Sequence, residues 1–402
     1  MNRETITLTN KEWQRATVVK LAVEGEITVA EAATALRLSP RQVKRLKRRY
    51  EAQGAAGMAH GSRGRPSRRR IPPEVVEIVL KLATGKYAGF NDVHLTEKLN
   101  EEEGISISAS TVRRILRSHG LGAKRKRRPP RHRSRRQRRP QLGMLVQVDG
   151  SPHRWLEDRG PSFCLIGAVD DATGRVLHAH FQPHEDVWGY LKLFRGIVEQ
   201  YGIPLAVYSD RHSIFSRNDN HWSKEEQLRG RQDPTQVTRA LEQLGVELIL
   251  AHSPQAKGRI ERAWGTFQDR LQSELRLAGA NSMEEAQAVL DRFVPDYNRR
   301  FAKAPAQAGH AFRLPGPGLD LDRVFCMRYE RIVGNDNTVR IEGRVLQIPP
   351  GPHRISYAKA RVDVDFTMDG WVRIFYRDER IAQFDSLPPR ELPASTPAAV
   401  AV

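Results

Sequence analysis

Val146-Gln147-Val148-Asp149-Gly150-Ser151 is the stretch on which the fold turns: an apolar run of strand length that ends on an acid and a glycine. Downstream, Phe163–Val169 and Val176–Phe181 are two more short apolar runs, and Asp186 to Tyr201 has helical spacing. Leu205–Tyr208 reads as strand, Pro234 to Leu244 as helix, and Val246–Leu250 as strand. A long helix is predicted from about Lys257 to Leu277 and another over residues 283–300. Three strands followed by alternating helices and strands predict an α/β domain with a mixed sheet. In such a sheet, strand ends and helix starts gather at one edge.

N-terminal to this domain the chain reads as helical. Residues 10–24, with Trp13, Ala16, Val19 and Leu21 near helical spacing, and residues 28–36 behind Thr28, precede Ser39-Pro40, a cap followed by proline at the first helical position. The third helix, Arg41 to Tyr50, carries Arg41, Gln42, Lys44, Arg45, Lys47, Arg48 and Arg49. A short helix, a tight turn and a basic second helix form a helix-turn-helix pattern, whose second helix enters a major groove. After a Gly- and Arg-rich linker, helices are predicted from Pro72-Pro73 to Thr84, over 91–102, and from Thr111 to Ser118 behind Ser108 and Ser110. In the last, Val112, Ile115 and Leu116 suit a core, and Arg113, Arg114 and Arg117 suit solvent or DNA, as in a second helix-turn-helix. Residues 124–139 then hold eleven Lys or Arg and no acid, Arg125, Arg127 and Arg128 among them, as befits a linker that tracks phosphates.

Composition points the same way. Among 402 residues, Lys and Arg number 66 against 47 Asp and Glu, a formal charge of +19 that favours a polyanionic partner. No run approaches the roughly 18 apolar residues of a membrane span, and no apolar segment follows Met1-Asn2-Arg3-Glu4, so neither a membrane partner nor a secretory signal is expected. Two cysteines, Cys164 and Cys326, argue against a disulfide scaffold or a cysteine zinc site. His153, His178, His180 and His184 lack a cysteine partner and finger spacing. The expected setting is the reducing cytoplasm.

Three acids sit where an active site needs them. Asp149 ends the first core strand, Asp210 ends Val207-Tyr208-Ser209-Asp210, and Glu261 lies in the first turns of the long helix. Three carboxylates gathered at one edge repel one another without a cation. Oxygen-only ligands select Mg²⁺ or Mn²⁺, and two such ions per site serve in-line phosphoryl displacement. Taken singly, each acid could equally be a helix cap or a surface residue. Asp170-Asp171-Ala172-Thr173-Gly174 reads as a β-turn. Trp155 and Trp188 suit the core or base stacking.

Ser253-Pro254-Gln255-Ala256-Lys257-Gly258-Arg259-Ile260-Glu261-Arg262, with Asp149-Gly150-Ser151 and Ser209-Asp210-Arg211-His212-Ser213, resembles the DDE transposases of the retroviral-integrase superfamily. It is most similar to the ISNCY type of bacterial insertion sequence. The resemblance implies a ribonuclease-H-like core with Asp149, Asp210 and Glu261 as the metal-binding triad. Lys257, four residues before Glu261, could contact a phosphate as similar lysines do, or equally pair with Glu261 along the helix. Arg211 and His212 could position the target strand, His212 equally being a solvent-facing loop residue. Glu261 follows Asp210 by 51 residues, longer than in many integrase-like cores, and the surplus falls in Arg211 to Asp233.

The expected architecture is therefore multidomain α+β. A helix-turn-helix domain (1–53), a basic linker (54–71), a second helix-turn-helix domain (72–122) and an Arg-rich linker (123–141) precede the catalytic core (142–303). A linker (304–324), a small β-barrel (325–386) and a disordered tail (387–402) follow. Asp369-Gly370 between Arg361–Met368 and Trp371–Tyr376 predicts one hairpin of that barrel. The expected function is metal-dependent 3′-end cleavage of terminal inverted repeats and strand transfer into target DNA. The enzyme would act as a homo-oligomer on double-stranded DNA, with no small-molecule substrate. The alternative is a helix-turn-helix regulator or an inactive domesticated transposase.

Overall fold

The computed structural model describes residues 7–63, 70–124, 129, 136–217, 219, 221–251, 258–352 and 354–387. Two compact units divide the chain, Met1–Glu77 and Ile78–Val402.

The first unit holds α1 (Asn10–Glu24), α2 (Val29–Leu36) and α3 (Pro40–Gln53), followed by a 3-10 turn at Gly54–Met58. Thr9 and Thr28 each close a capping box, with Glu12 and Glu31 reaching back, and Ser39 caps α3 ahead of Pro40. Each cap is worth about 1 kcal/mol. The core stripe of α1 runs through Glu12, Ala16, Val19 and Ala22, which leaves Trp13 exposed, one residue off the spacing expected of it. Glu12 is buried because it does more than cap. It also accepts from the His60 N–H at 2.9 Å and pairs with Arg63, and the N–H groups of Thr9 and His60 hold its carboxyl down to about 2.

The second unit begins within α4 (Pro73–Thr84), then α5 (Asp92–Glu101) and α6 (Ala109–Ser118). Its central sheet comprises β1 (Val146–His153), β2 (Phe163–Asp170), β3 (Val176–Gln182), β4 (Ala206–Ser209) and β5 (Glu247–Leu250), in the order β3-β2-β1-β4-β5. β1, β2 and β3 pair antiparallel, while β4 lies parallel to β1 and β5 parallel to β4. This mixed five-stranded sheet is consistent with a ribonuclease-H-like core. α7 (Val187–Tyr201) and α9 (Gln236–Gln243) cover one face, where Val146, Val148, Ile166 and Val207 meet Leu191, Phe194 and Leu241. α10 (Ile260–Leu277) and α11 (Met283–Phe301) cover the other, where Leu165, Val169 and Phe181 meet Trp264, Phe267 and Phe293. Both faces are buried, which is why β2 reads as an unbroken apolar run.

β1 continues past Asp149, contrary to the expectation that the acid ends it. Gly150 to His153 pair with Ile166 to Phe163 of β2 alone, since the pairing with β4 covers only Val146 and Gln147. Pro152 is tolerated there because that stretch is an edge.

The polar segment after Asp210 contains α8 (Lys224–Arg229), and α12 (Leu321–Val324) precedes the last β region. There β6 (Met327–Ile332), β9 (Arg361–Phe366), β10 (Val372–Tyr376) and β11 (Glu379–Phe384) form an antiparallel sheet, ordered β11-β10-β9-β6. β7 (Thr338–Ile341) and β8 (Arg344–Gln347) make a separate ribbon whose Val339, Ile341 and Leu346 share the sheet's core. Among the described residues the pairings give a sheet plus a ribbon and do not close a barrel. No helix among them is long and apolar enough to cross a membrane.

Candidate active site and nucleic-acid interface

The pairing of β1 with β4 sets Val146 beside Val207 and Gln147 beside Tyr208. Both acids lie two residues past the end of that pairing, Asp149 within β1 and Asp210 one residue beyond the end of β4, and each is half-buried. Asp149 also stands opposite Gly167 on β2. A Cβ on Gly167 would lie 2.6 Å from Cη2 of Trp264, so this face of the strand pair looks onto α10. Directly opposed residues share a face. Asp149 therefore projects to the side covered by α10, and Glu261 sits one helical turn before Trp264, exposed in the first turn of that helix.

Asp210 is fixed locally. Its Oδ1 accepts from the His212 N–H at 3.2 Å, and its carbonyl accepts from Ser209 Oγ at 3.0 Å. His212 thus shapes the Asp210 turn through its backbone, while its ring and the Arg211 side chain are on exposed residues. A fourth acid, which sequence reasoning missed, stands nearby. The Glu185 carboxylate lies against Gly150, where a Cβ would come within 2.5 Å of Oε2, and it accepts from Tyr190 Oη at 2.6 Å. Burial first, then the charges of Glu185, Asp149 and Asp210, push the Tyr190 phenol well up. Burial, with Glu185 and Asp149, pushes the Cys164 thiol up to about 12. One end of the sheet is therefore strongly negative. Only the close approach at Gly150 could have pointed to Glu185, and glycine spacing alone does not name its neighbour.

The oxygen-only donor set of Asp149, Asp210 and Glu261 fits a hard divalent cation. Among the described residues, no three His, Cys, Asp or Glu side chains stand close enough together to hold an ion. The two aspartates follow one parallel strand pairing and Glu261 lies in the first turn of α10, and among the described residues the three do not form a cluster. Ser253 to Lys257, and with them the expected Lys257 phosphate contact, lie outside the described residues.

The expected DNA-reading residues divide by their surroundings. Arg41, Gln42, Lys44, Arg45 and Arg48 are all exposed on α3. Lys47 is half-buried and donates to the Ala22 carbonyl at 2.9 Å, and Arg49, though exposed, donates to that of Ala59 at 3.2 Å. On α6, Val112, Ile115 and Leu116 are buried as expected, and Arg114 is exposed. Arg113 and Arg117 both pair with Asp92, at 3.2 and 2.7 Å. Arg125, Arg127 and Arg128 lie outside the described residues. Trp155 is fully buried and offers no ring for base stacking, and Trp188 is partly buried against the core.

Residues 14–67 match a helix-turn-helix domain model and residues 42–116 a homeodomain-like domain model. The chain is 36% identical over 388 residues to "Putative transposase y4bF" of Sinorhizobium fredii, covering 94% of this chain and 83% of that protein. It is 30% identical over 370 residues to the transposase for insertion sequence IS1202 of Streptococcus pneumoniae, covering 83% and 77%. A solved simian T-cell lymphotropic virus intasome, in complex with PP2A regulatory subunit B56 gamma, aligns at 15% identity and a TM-score of 0.32. It covers 73% of this chain and 91% of that one, a similarity too low to bear on the fold. With two transposases matched at this identity along most of its length, the chain belongs to the transposase family.

Proposed function

We propose that this transposase is of the DDE type, with Asp149, Asp210 and Glu261 as its metal-holding residues, and that within the family it belongs with the ISNCY type. The reading is supported by the parallel β1–β4 pairing, which ends two residues before both Asp149 and Asp210, and by α10, whose first turn carries Glu261. The three carboxylates would hold two Mg²⁺ or Mn²⁺ ions, which when bound supply charge stabilisation for in-line displacement at phosphorus and acidify the attacking hydroxyl. The protein's own part is to orient the scissile phosphate and to present the three carboxylates at one end of the sheet. The exposed faces of α3 and α6 would bind the terminal inverted repeats of the element, and two such ends would be brought together by a homo-oligomer. The C-terminal sheet and its ribbon would add DNA contact.

The test is a strand-transfer assay with purified protein, labelled DNA bearing the element's own end, a plasmid target, and Mg²⁺ or Mn²⁺ against EDTA. Joined product that disappears with EDTA and falls at least 1000-fold in Asp210→Asn, with end binding nearly unchanged, is the expected result. End binding without nicking or joining in either metal would instead identify a regulator or an inactive copy.

A further inference from the structure

We infer that Asp171 is a positioning residue for Glu261: its buried carboxylate ties the start of α10 and the end of the Arg-rich linker to β1. The inference rests on the reading of Glu261 as part of the metal-holding triad.

Asp171 belongs to the turn between β2 and β3, yet the turn does not need it. Its neighbour Asp170 does the turn's work, accepting from the N–H and hydroxyl of Thr173 at 2.8 and 2.7 Å and from the Gly143 N–H at 3.0 Å. Asp171 is fully buried all the same. A carboxylate without solvent persists only where donors surround it, and four do. Gln147 Nε2 donates at 2.8 Å, Arg259 Nη1 at 2.6 Å and the Arg139 N–H at 2.8 Å, and the Arg136 guanidinium pairs with it.

Two of these donors act just ahead of position 261. Arg259 lies two residues before Glu261 and joins the linker a second time, donating from Nη2 to the Arg136 carbonyl at 2.9 Å. Gln147 acts at its other end: its Oε1 accepts from the Ile260 N–H at 3.3 Å. That contact carries weight because, among the described residues, no side chain at the cap position closes α10, Arg259 there being already in helical conformation. A first turn without a cap frays. Gln147 supplies the missing acceptor from β1, two residues from Asp149. Asp171, by binding the Gln147 amide nitrogen, keeps the amide oxygen turned toward α10. One carboxylate therefore sets the pose of the helix start that carries Glu261 relative to the strand that carries Asp149. The same carboxylate holds the linker that leads in from the second helix-turn-helix module.

The test uses the full chain carrying Asp171→Asn, Gln147→Leu, or both. Amide hydrogen exchange over residues 258–264 is expected to speed at least tenfold in each, with the remainder of α10 unchanged. Strand transfer is expected to fall about 10- to 100-fold, as for outer residues that orient metal ligands, and to need more Mn²⁺ for half-maximal rate, with end binding unchanged. The double variant should be no worse than the more damaging single, because both act through one bridge. Exchange over 258–264 that stays at the wild-type rate, or losses that multiply in the double variant, would overturn the inference. If Asp171→Asn does not fold, Gln147→Leu decides alone by the same exchange readout. Glu261→Gln is the control: full strand transfer in that variant would remove the triad reading, while the exchange data would still judge the tie between Asp171 and α10.

Discussion

At the scale of single residues, the least expected group is His180 on β3. It is 2% exposed and neither ring nitrogen has a hydrogen-bond partner in the structure. Burial first, then the charges of Lys192 and His178, push it down to about 3. The folded chain therefore refuses a proton that the unfolded chain accepts below its ordinary value of 6.5. Stability from this group is intact above pH 6.5 and is lost progressively as pH falls toward 3, by roughly 2 kcal/mol at pH 5. Burial pushes His178 in the same direction. Urea midpoints at pH 7.5 and pH 5 should thus differ more for wild type than for His180→Leu, and an equal pH response in the two proteins would sink the assignment. The sequence shows two histidines, spaced by one residue, without a zinc partner. It does not show that α7 closes over them, because that depends on His178 fitting against Gly196. Asp171 was hidden in the same way: the turn was legible, but the four donors come from segments far apart in sequence.

Among elements, legibility followed local chemistry. Helices announced by Thr9, Thr28, Ser39 and Ser108 start where those caps are, and the buried strands β2 and β3 are apolar enough to be read directly. α8 was read only as polar insert, since its order comes from Glu226, which accepts from the Ser223 and Asp233 N–H groups and pairs with Arg217. β6 and β11 were not singled out because each is an edge strand with charged residues that break the apolar pattern. The sequence put both aspartates at strand ends, which holds for Asp210 just past β4 but not for Asp149, because β1 runs on along β2 to His153. The approach of α10 to β2 gives the prediction at this scale. A Cβ at Gly167 would sit 2.6 Å from Trp264 Cη2 and 3.2 Å from Ala179 Cβ, with no slack on either side. Gly167→Ala is expected to cost about 1–3 kcal/mol by overpacking and to slow strand transfer by lifting the start of α10. Adding Trp264→Leu should recover part of the melting temperature, and failure of that rescue would place the strain elsewhere.

Over the whole molecule, the formal charge of +19 has to be matched by a polyanion or dispersed by salt. Each phosphate neutralised contributes about −0.9 to the slope of log K against log salt. The exposed cations of α3, Arg114 on α6 and the basic run over 124–139 offer enough contacts for a slope of about −6 or steeper on the element's end. The residues should not count equally. Arg45 is exposed on α3, so Arg45→Ala should weaken the slope by about 1 if it meets a phosphate. Arg113 is already paired with Asp92, and a cation that must leave a carboxylate to reach DNA gains less than a free one. Arg113→Ala should therefore change the slope less than Arg114→Ala does. Filter binding of each variant between 50 and 300 mM salt, on the end sequence and on unrelated duplex, separates the two roles. Equal effects of Arg113 and Arg114 would show that DNA breaks the Asp92 pair on binding. A slope near −2 for the full chain would mean that most of its positive charge never meets a phosphate, and the polyanion argument from composition would fall with it.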